Sequence, residues 1–169
     1  YTIPPQRCVI GFGGTGCGKT LISATACCEL KVKRVLNIVP PCGGVVFDQW
    51  MDELHQIGAG ESSLLYKGDR RREQLAAWRS NCDADEDSTN THFVITSIAT
   101  LYSDACKLLE ERDAERNAKR PAAQVEAEQA AKKKGKKRWS ETEWKWAFRT
   151  AASNLGKFDL VVLDEFQEF

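Results

Sequence analysis

Residues 13–20 read Gly-Gly-Thr-Gly-Cys-Gly-Lys-Thr, a full match to the GxxxxGK[ST] phosphate-binding pattern. Closely spaced glycines let a backbone curl until its N–H groups converge on a polyphosphate. Gly13, Gly14, Thr15, Gly16, Cys17 and Gly18 would form that cradle. Lys19 would add a positive charge for the outer phosphates, and the Thr20 hydroxyl can ligate Mg2+. A Gly-rich turn that merely capped a helix would leave the Lys-Thr pair without a purpose. A second motif, Asp164-Glu165, closes the apolar, β-rich run Phe158-Asp159-Leu160-Val161-Val162-Leu163. After a phosphate loop, the carboxylate at the end of such a strand holds the hydration shell of Mg2+, and the following Glu can activate the attacking water. Asp164 is therefore the expected metal-side carboxylate, Glu165 the general base, and Lys19 the catalytic cation.

Both motifs need a rigid frame, and the intervening chain supplies one. Cys8-Val9-Ile10-Gly11-Phe12 reads as a buried strand, and Leu21 to Leu30 as an almost wholly apolar core helix. Arg34 to Val39 is a second strand, stopped by Pro40-Pro41. Residues 44–57 have helical periodicity, with Val46, Phe47, Trp50, Met51, Leu54 and Ile57 on one face. Ser62 to Tyr66 and His92 to Thr96 read as strands; Arg70 to Arg79 and Ile98 to Leu109 read as helices. Strands alternating with helices predict an α/β fold, a parallel sheet with helices on both faces.

The 169 residues are 42% hydrophobic and 28% charged, which suits one domain with a real core. Formal net charge is zero, so any charged partner must be met by local patches. The seven cysteines show no CxxC spacing, and most lie in apolar segments, where a cysteine is a small buried hydrophobe. They predict reduced thiols in an intracellular protein, cytoplasmic or nuclear. With only His55 and His92, a zinc site is not expected. No apolar run reaches the length of a membrane span and no signal peptide is visible, so no membrane partner is expected.

Residues 110–138 hold few large apolar side chains and end in the basic run 132–138. Such a composition buries too little surface to offset chain entropy unless it stays helical and exposed. Residues 107–139 are therefore read as a charged insertion within the domain. Its basic run suits phosphate contact, a nuclear address or a plainly solvated tract. Order is predicted to resume at Ser140. Ser140-Glu141-Thr142-Glu143 has capping-box spacing, and Trp144, Phe148, Ala151, Ala152 and Leu155 form a helical stripe ending at Gly156.

Between the two motifs come Ile38-Val39-Pro40-Pro41, Gln49-Trp50-Met51-Asp52-Glu53-Leu54, Tyr66-Lys67-Gly68 and Val94-Ile95-Thr96-Ser97; Leu163-Asp164-Glu165-Phe166-Gln167 closes the series. This order resembles the first RecA-like domain of superfamily 2 helicases and translocases, with the nearest likeness to Swi/Snf-type DNA translocases and related DEAD/DEAH-like proteins. The likeness spans nearly the whole chain outside the insertion. It implies an ATPase that uses ATP and Mg2+ and moves on nucleic acid, with double-stranded DNA the expected partner. It also implies that Pro40, Cys42, Gly43, Thr96 and Ser97 line the face that tracks the nucleic-acid backbone. A turn offering amides and two hydroxyls can meet phosphates without reading sequence. Gln167 stands where Asp or His is commoner in those relatives. The likeness further implies a second RecA-like domain in a longer parent chain, and a strand that inserts between residues 8–12 and 158–163. On that basis the 169-residue chain is expected to be an incomplete domain with little hydrolysis of its own. Two other readings suit the motifs: another phosphate-loop motor such as a viral DNA-packaging ATPase, and a nucleotide-gated binding module without turnover.

Overall fold

The computed structural model describes residues 18–40, 43–84, 90–119 and 139–164. The strand expected at residues 8–12, loop positions 13–17, Cys42, Glu165 and Gln167 lie outside them, as do residues 120–138 of the insertion. Among the described residues nine elements follow in order: α1 (Lys19–Glu29), β1 (Arg34–Val39), α2 (Gly43–Gln56), β2 (Leu64–Leu65), α3 (Arg71–Ala84), β3 (His92–Ser97), α4 (Ile98–Ala118), α5 (Glu141–Leu155) and β4 (Leu160–Leu163). The four strands are parallel, in the order β2-β3-β1-β4.

β1 and β3 form the centre because their sequences are apolar on both faces, as a doubly covered parallel strand must be. Val35 and Val39 point to one side, where Phe93 and Ile95 of β3 join Ala24 and Cys27 of α1 and Phe47, Trp50 and Leu54 of α2. Leu36 and Val94 face the other side and meet Leu75, Trp78 and Cys82 of α3, Leu101 of α4 and Leu155 of α5. Each fully buried large side chain contributes about 1.5–3 kcal/mol, so these two layers dominate stability. One buried polar side chain, Asn37 in the middle of β1, lacks a partner among the described residues. Its amide oxygen and nitrogen are both buried without a hydrogen-bond partner, at a cost of about 1–3 kcal/mol.

The observed elements correct several sequence expectations. α1 buries a single stripe of Thr20, Ala24 and Cys27, while Ile22 and Leu30 are exposed, so the helix is covered on one face only. The strand expected over 62–66 pairs only at Leu64 and Leu65. α4 does not stop at Leu109 but runs on to Ala118. Packing against α5 explains the extension: Leu109 joins Ala105, Ala147 and Ala151 in a third cluster. Arg116 pairs with Glu143 at 3.1 Å, and the Trp139 indole donates to Asp113 at 3.0 Å. The first part of the expected insertion is thus the second half of a packed helix. On α5 the capping box forms as its spacing predicts, with the Glu143 N–H donating to Ser140 Oγ and the Ser140 N–H donating to the Glu143 carboxylate. Ala152, expected in the α5 stripe, is exposed, and Ala147 is buried in its place.

Candidate nucleotide and nucleic-acid site

All four strands end at one edge of the sheet, since Val39 pairs with Ser97, Leu65 with Ile95 and Ile38 with Leu163. In open parallel sheets this carboxyl edge is where ligands bind. Pro40, Tyr66-Lys67-Gly68 and Asp164 follow directly from strand ends, and Ser97 is the last residue of β3. α1 is added from the neighbouring layer. Its Cys27 carbonyl accepts the N–H of Val32, just before β1, and the hydroxyl of Thr91, just before β3, so the helix ends toward the amino edge of the sheet and, packed along it through Ala24 and Cys27, starts toward the carboxyl edge.

That start is built for an anion. The N-cap residue Gly18 has φ 73°, a left-handed conformation that favours glycine, and no side chain caps the helix. The first turn holds no acidic residue, so no side-chain charge there opposes an anion at the positive end of the helix dipole. Thr20 in this turn is buried. At the end of β4, the Asp164 backbone N–H donates to the Ile38 carbonyl at 3.0 Å. Its side-chain Oδ2 accepts the indole N–H of Trp50 at 2.9 Å.

The described residues contain no cluster of three or more His, Cys, Asp or Glu that could hold a metal ion. Mg2+ does not require one, because it is commonly held by one or two protein oxygens together with substrate phosphates and waters. Thr20 and Asp164 match that sparse donor set, and the uncapped α1 start matches the phosphates. These residues fit a Mg-nucleotide.

Of the expected nucleic-acid residues, Thr96 and Ser97 have internal partners for their hydroxyls. Thr96 is fully buried, and its hydroxyl donates to the Tyr66 carbonyl at 3.2 Å. Ser97 caps α4 by accepting the Thr100 N–H at 3.1 Å, and its hydroxyl also bonds that of Thr100. Pro40 is buried, and Gly43 opens α2. Lys67 is exposed on this edge, its ammonium 5.2 Å from the centre of the Phe47 ring.

Two features of the site were missed in the sequence. The first is the bond from Trp50 to Asp164; the sequence places Trp50 on a helix's apolar face and in the Gln49–Leu54 segment, with no link to Asp164. The second is a lock behind the Tyr66-Lys67-Gly68 turn. Arg71 and Asp104 form an ion pair at 2.7 Å with both side chains buried, Tyr66 donates its hydroxyl to Asp104 at 2.9 Å, and Arg71 donates to the Gly68 carbonyl at 2.7 Å. Burial first, then the bond to Asp104, pushes the Tyr66 phenol above its ordinary value. The same Asp104 bond raises the Arg71 guanidinium and keeps it charged. Residues 71 and 104 are too far apart in the chain for spacing to have paired them.

A parallel sheet between two helical layers, with an open helix start and a carboxylate at its carboxyl edge, defines an α/β domain of the RecA-like phosphate-loop kind. The chain belongs to the family described as type III restriction enzyme, res subunit, whose model matches residues 12–166. It is accordingly a superfamily 2 helicase-like ATPase domain, a class that uses ATP and usually Mg2+. No curated protein and no solved structure matches the chain. No helix among the described residues is long and apolar enough to cross a membrane.

Proposed function

We infer that the chain is the ATP-binding domain of a nucleic-acid motor that couples ATP hydrolysis to movement along double-stranded DNA, in the manner of Swi/Snf-type and related helicase-like translocases. The observation that carries this reading is the uncapped start of α1 at Gly18, at the sheet edge that also presents Asp164. In it, the 13–18 backbone cradles the triphosphate, Lys19 faces the outer phosphates, and Thr20 and Asp164 hold the metal. Bound Mg2+ would neutralise charge developing on the transferred phosphoryl group. Glu165 takes the proton of the attacking water. A second RecA-like domain closes the site from the opposite side. Pro40, Cys42, Gly43, Thr96 and Ser97 form the nucleic-acid edge. Because the Thr96 and Ser97 hydroxyls have internal partners, backbone amides and Lys67 carry most of the phosphate contact there.

The test is ATP turnover with and without double-stranded DNA, single-stranded DNA and RNA. Lys19→Ala should abolish hydrolysis and weaken triphosphate binding. Glu165→Gln should leave binding nearly intact and cut turnover by at least ~100-fold, the low end for loss of a general base. Turnover near that of the unsubstituted protein in the Glu165 variant would remove its assigned role. ATP binding without any turnover would favour the nucleotide-gated module.

A further inference from the structure

Trp50 is 1% exposed, packed on α2 between the buried Phe47 and Leu54. A tryptophan this deep needs an acceptor for its one N–H, and a neutral backbone carbonyl would have served. The partner is instead the carboxylate at the end of β4, at 2.9 Å. A hydrogen bond to a charged acceptor is stronger and more directional than a neutral one. The indole has a single donor, so it engages Oδ2 alone and cannot occupy the second oxygen. It also holds the carboxylate to a helix whose own position is fixed by core packing.

We propose that Trp50 is a positioning residue for the metal site: its indole N–H sets the orientation of the Asp164 carboxylate so that Oδ1 is presented to the Mg2+ of the nucleotide. The proposal rests on the ATPase reading above, and it extends that reading to a residue outside both sequence motifs. Partners of this kind are worth about 10–100-fold in metal affinity, because an unanchored ligand must be ordered each time the metal binds.

Two replacements of Trp50 isolate the N–H. Trp50→Phe keeps an aromatic ring in the core and deletes the donor. Replacing Trp50 with benzothienylalanine keeps the full indole outline with sulfur in place of N–H. The readout is binding of Mn2+ to the protein–ATP complex, followed by electron paramagnetic resonance, with nucleotide binding measured separately in the absence of metal. Both replacements should weaken Mn2+ by about 10-fold or more, while metal-free nucleotide binding stays unchanged. Leu54→Ala serves as the structural control: it truncates the same helix face and should lower the melting temperature without altering Mn2+ affinity. Unchanged Mn2+ affinity in the benzothienylalanine protein would overturn the proposal. So would a loss in Leu54→Ala equal to that in Trp50→Phe, which would mark a general packing effect. If the unsubstituted protein binds no Mn2+ with ATP, the ATPase reading falls and takes this proposal with it.

Discussion

Cys27 lies on the inner face of α1 among Ala24, Val35 and Trp50, and burial pushes its thiol up to about 11, with the neighbouring Cys28 adding to the rise. A raised folded-state value means that the unfolded chain ionises first. The stability linked to this thiol is therefore whole below the ordinary cysteine value of about 8.5 and is lost as pH rises toward 11. Thiolate, not thiol, is the nucleophile, so Cys27 should resist alkylation at pH 8 until the protein is unfolded. Cys17 has the opposite setting in sequence, just before a helix start and two residues from Lys19, both of which favour thiolate. Mass-spectrometric labelling at pH 8 should find Cys17 modified, protected by Mg-ATP, and Cys27 untouched. Equal labelling of Cys17 with and without nucleotide would count against its place in the phosphate cradle.

Among the elements, the turn after β2 depends most on a single carboxylate. Asp104 on α4 accepts from Tyr66 and Arg71 and so ties the Tyr66-Lys67-Gly68 turn and the start of α3 to a third element. Asp104→Ala would leave the Arg71 guanidinium buried without its partner and should destabilise the domain by about 3–5 kcal/mol in urea melts. The double variant Arg71→Met with Asp104→Leu should recover most of that loss, since an apolar pair avoids desolvating two charges. A double variant as unstable as Asp104→Ala would show that the pair is stabilising in itself. This contact also marks the boundary of what the sequence could tell. Core positions Phe47, Trp50 and Leu54 were legible because helical spacing repeats every turn, and the capping box at Ser140 because it is local. The place of Asp164 at a strand end was legible because an apolar, β-rich run closing in an acid marks where such a strand stops. Arg71–Asp104 and Trp50–Asp164 were not, because they join residues whose only relation is the fold. The length of α4 escaped for a related reason: its last two turns are held by Arg116–Glu143 and Trp139–Asp113, contacts between residues on either side of 120–138.

At the scale of the whole molecule, β4 is a weak border of the sheet that the described residues form. Among the described residues it pairs only with β1, and Leu160, Val161 and Leu163 are 38%, 51% and 52% exposed. An apolar strand with one unpaired side is a template for association. The 169-residue chain should self-associate through this border in sedimentation velocity, and Val161→Lys should shift it toward monomer. A monodisperse chain with a sharp melt would show that the border is already covered. The strand order has a further consequence, for the time at which the protein can fold. β1 is flanked by β3 and β4, so its two neighbours are both made after it, and β4 is the last strand of the described sheet to be synthesised. At about 5–20 residues per second, the stretch from Ser97 to Leu160 takes on the order of 3–13 s to emerge, during which β1 stands with one side bare. That interval, longer than most domains need to fold, is when a growing chain most needs a chaperone, and it ends only when the strand carrying Asp164 arrives.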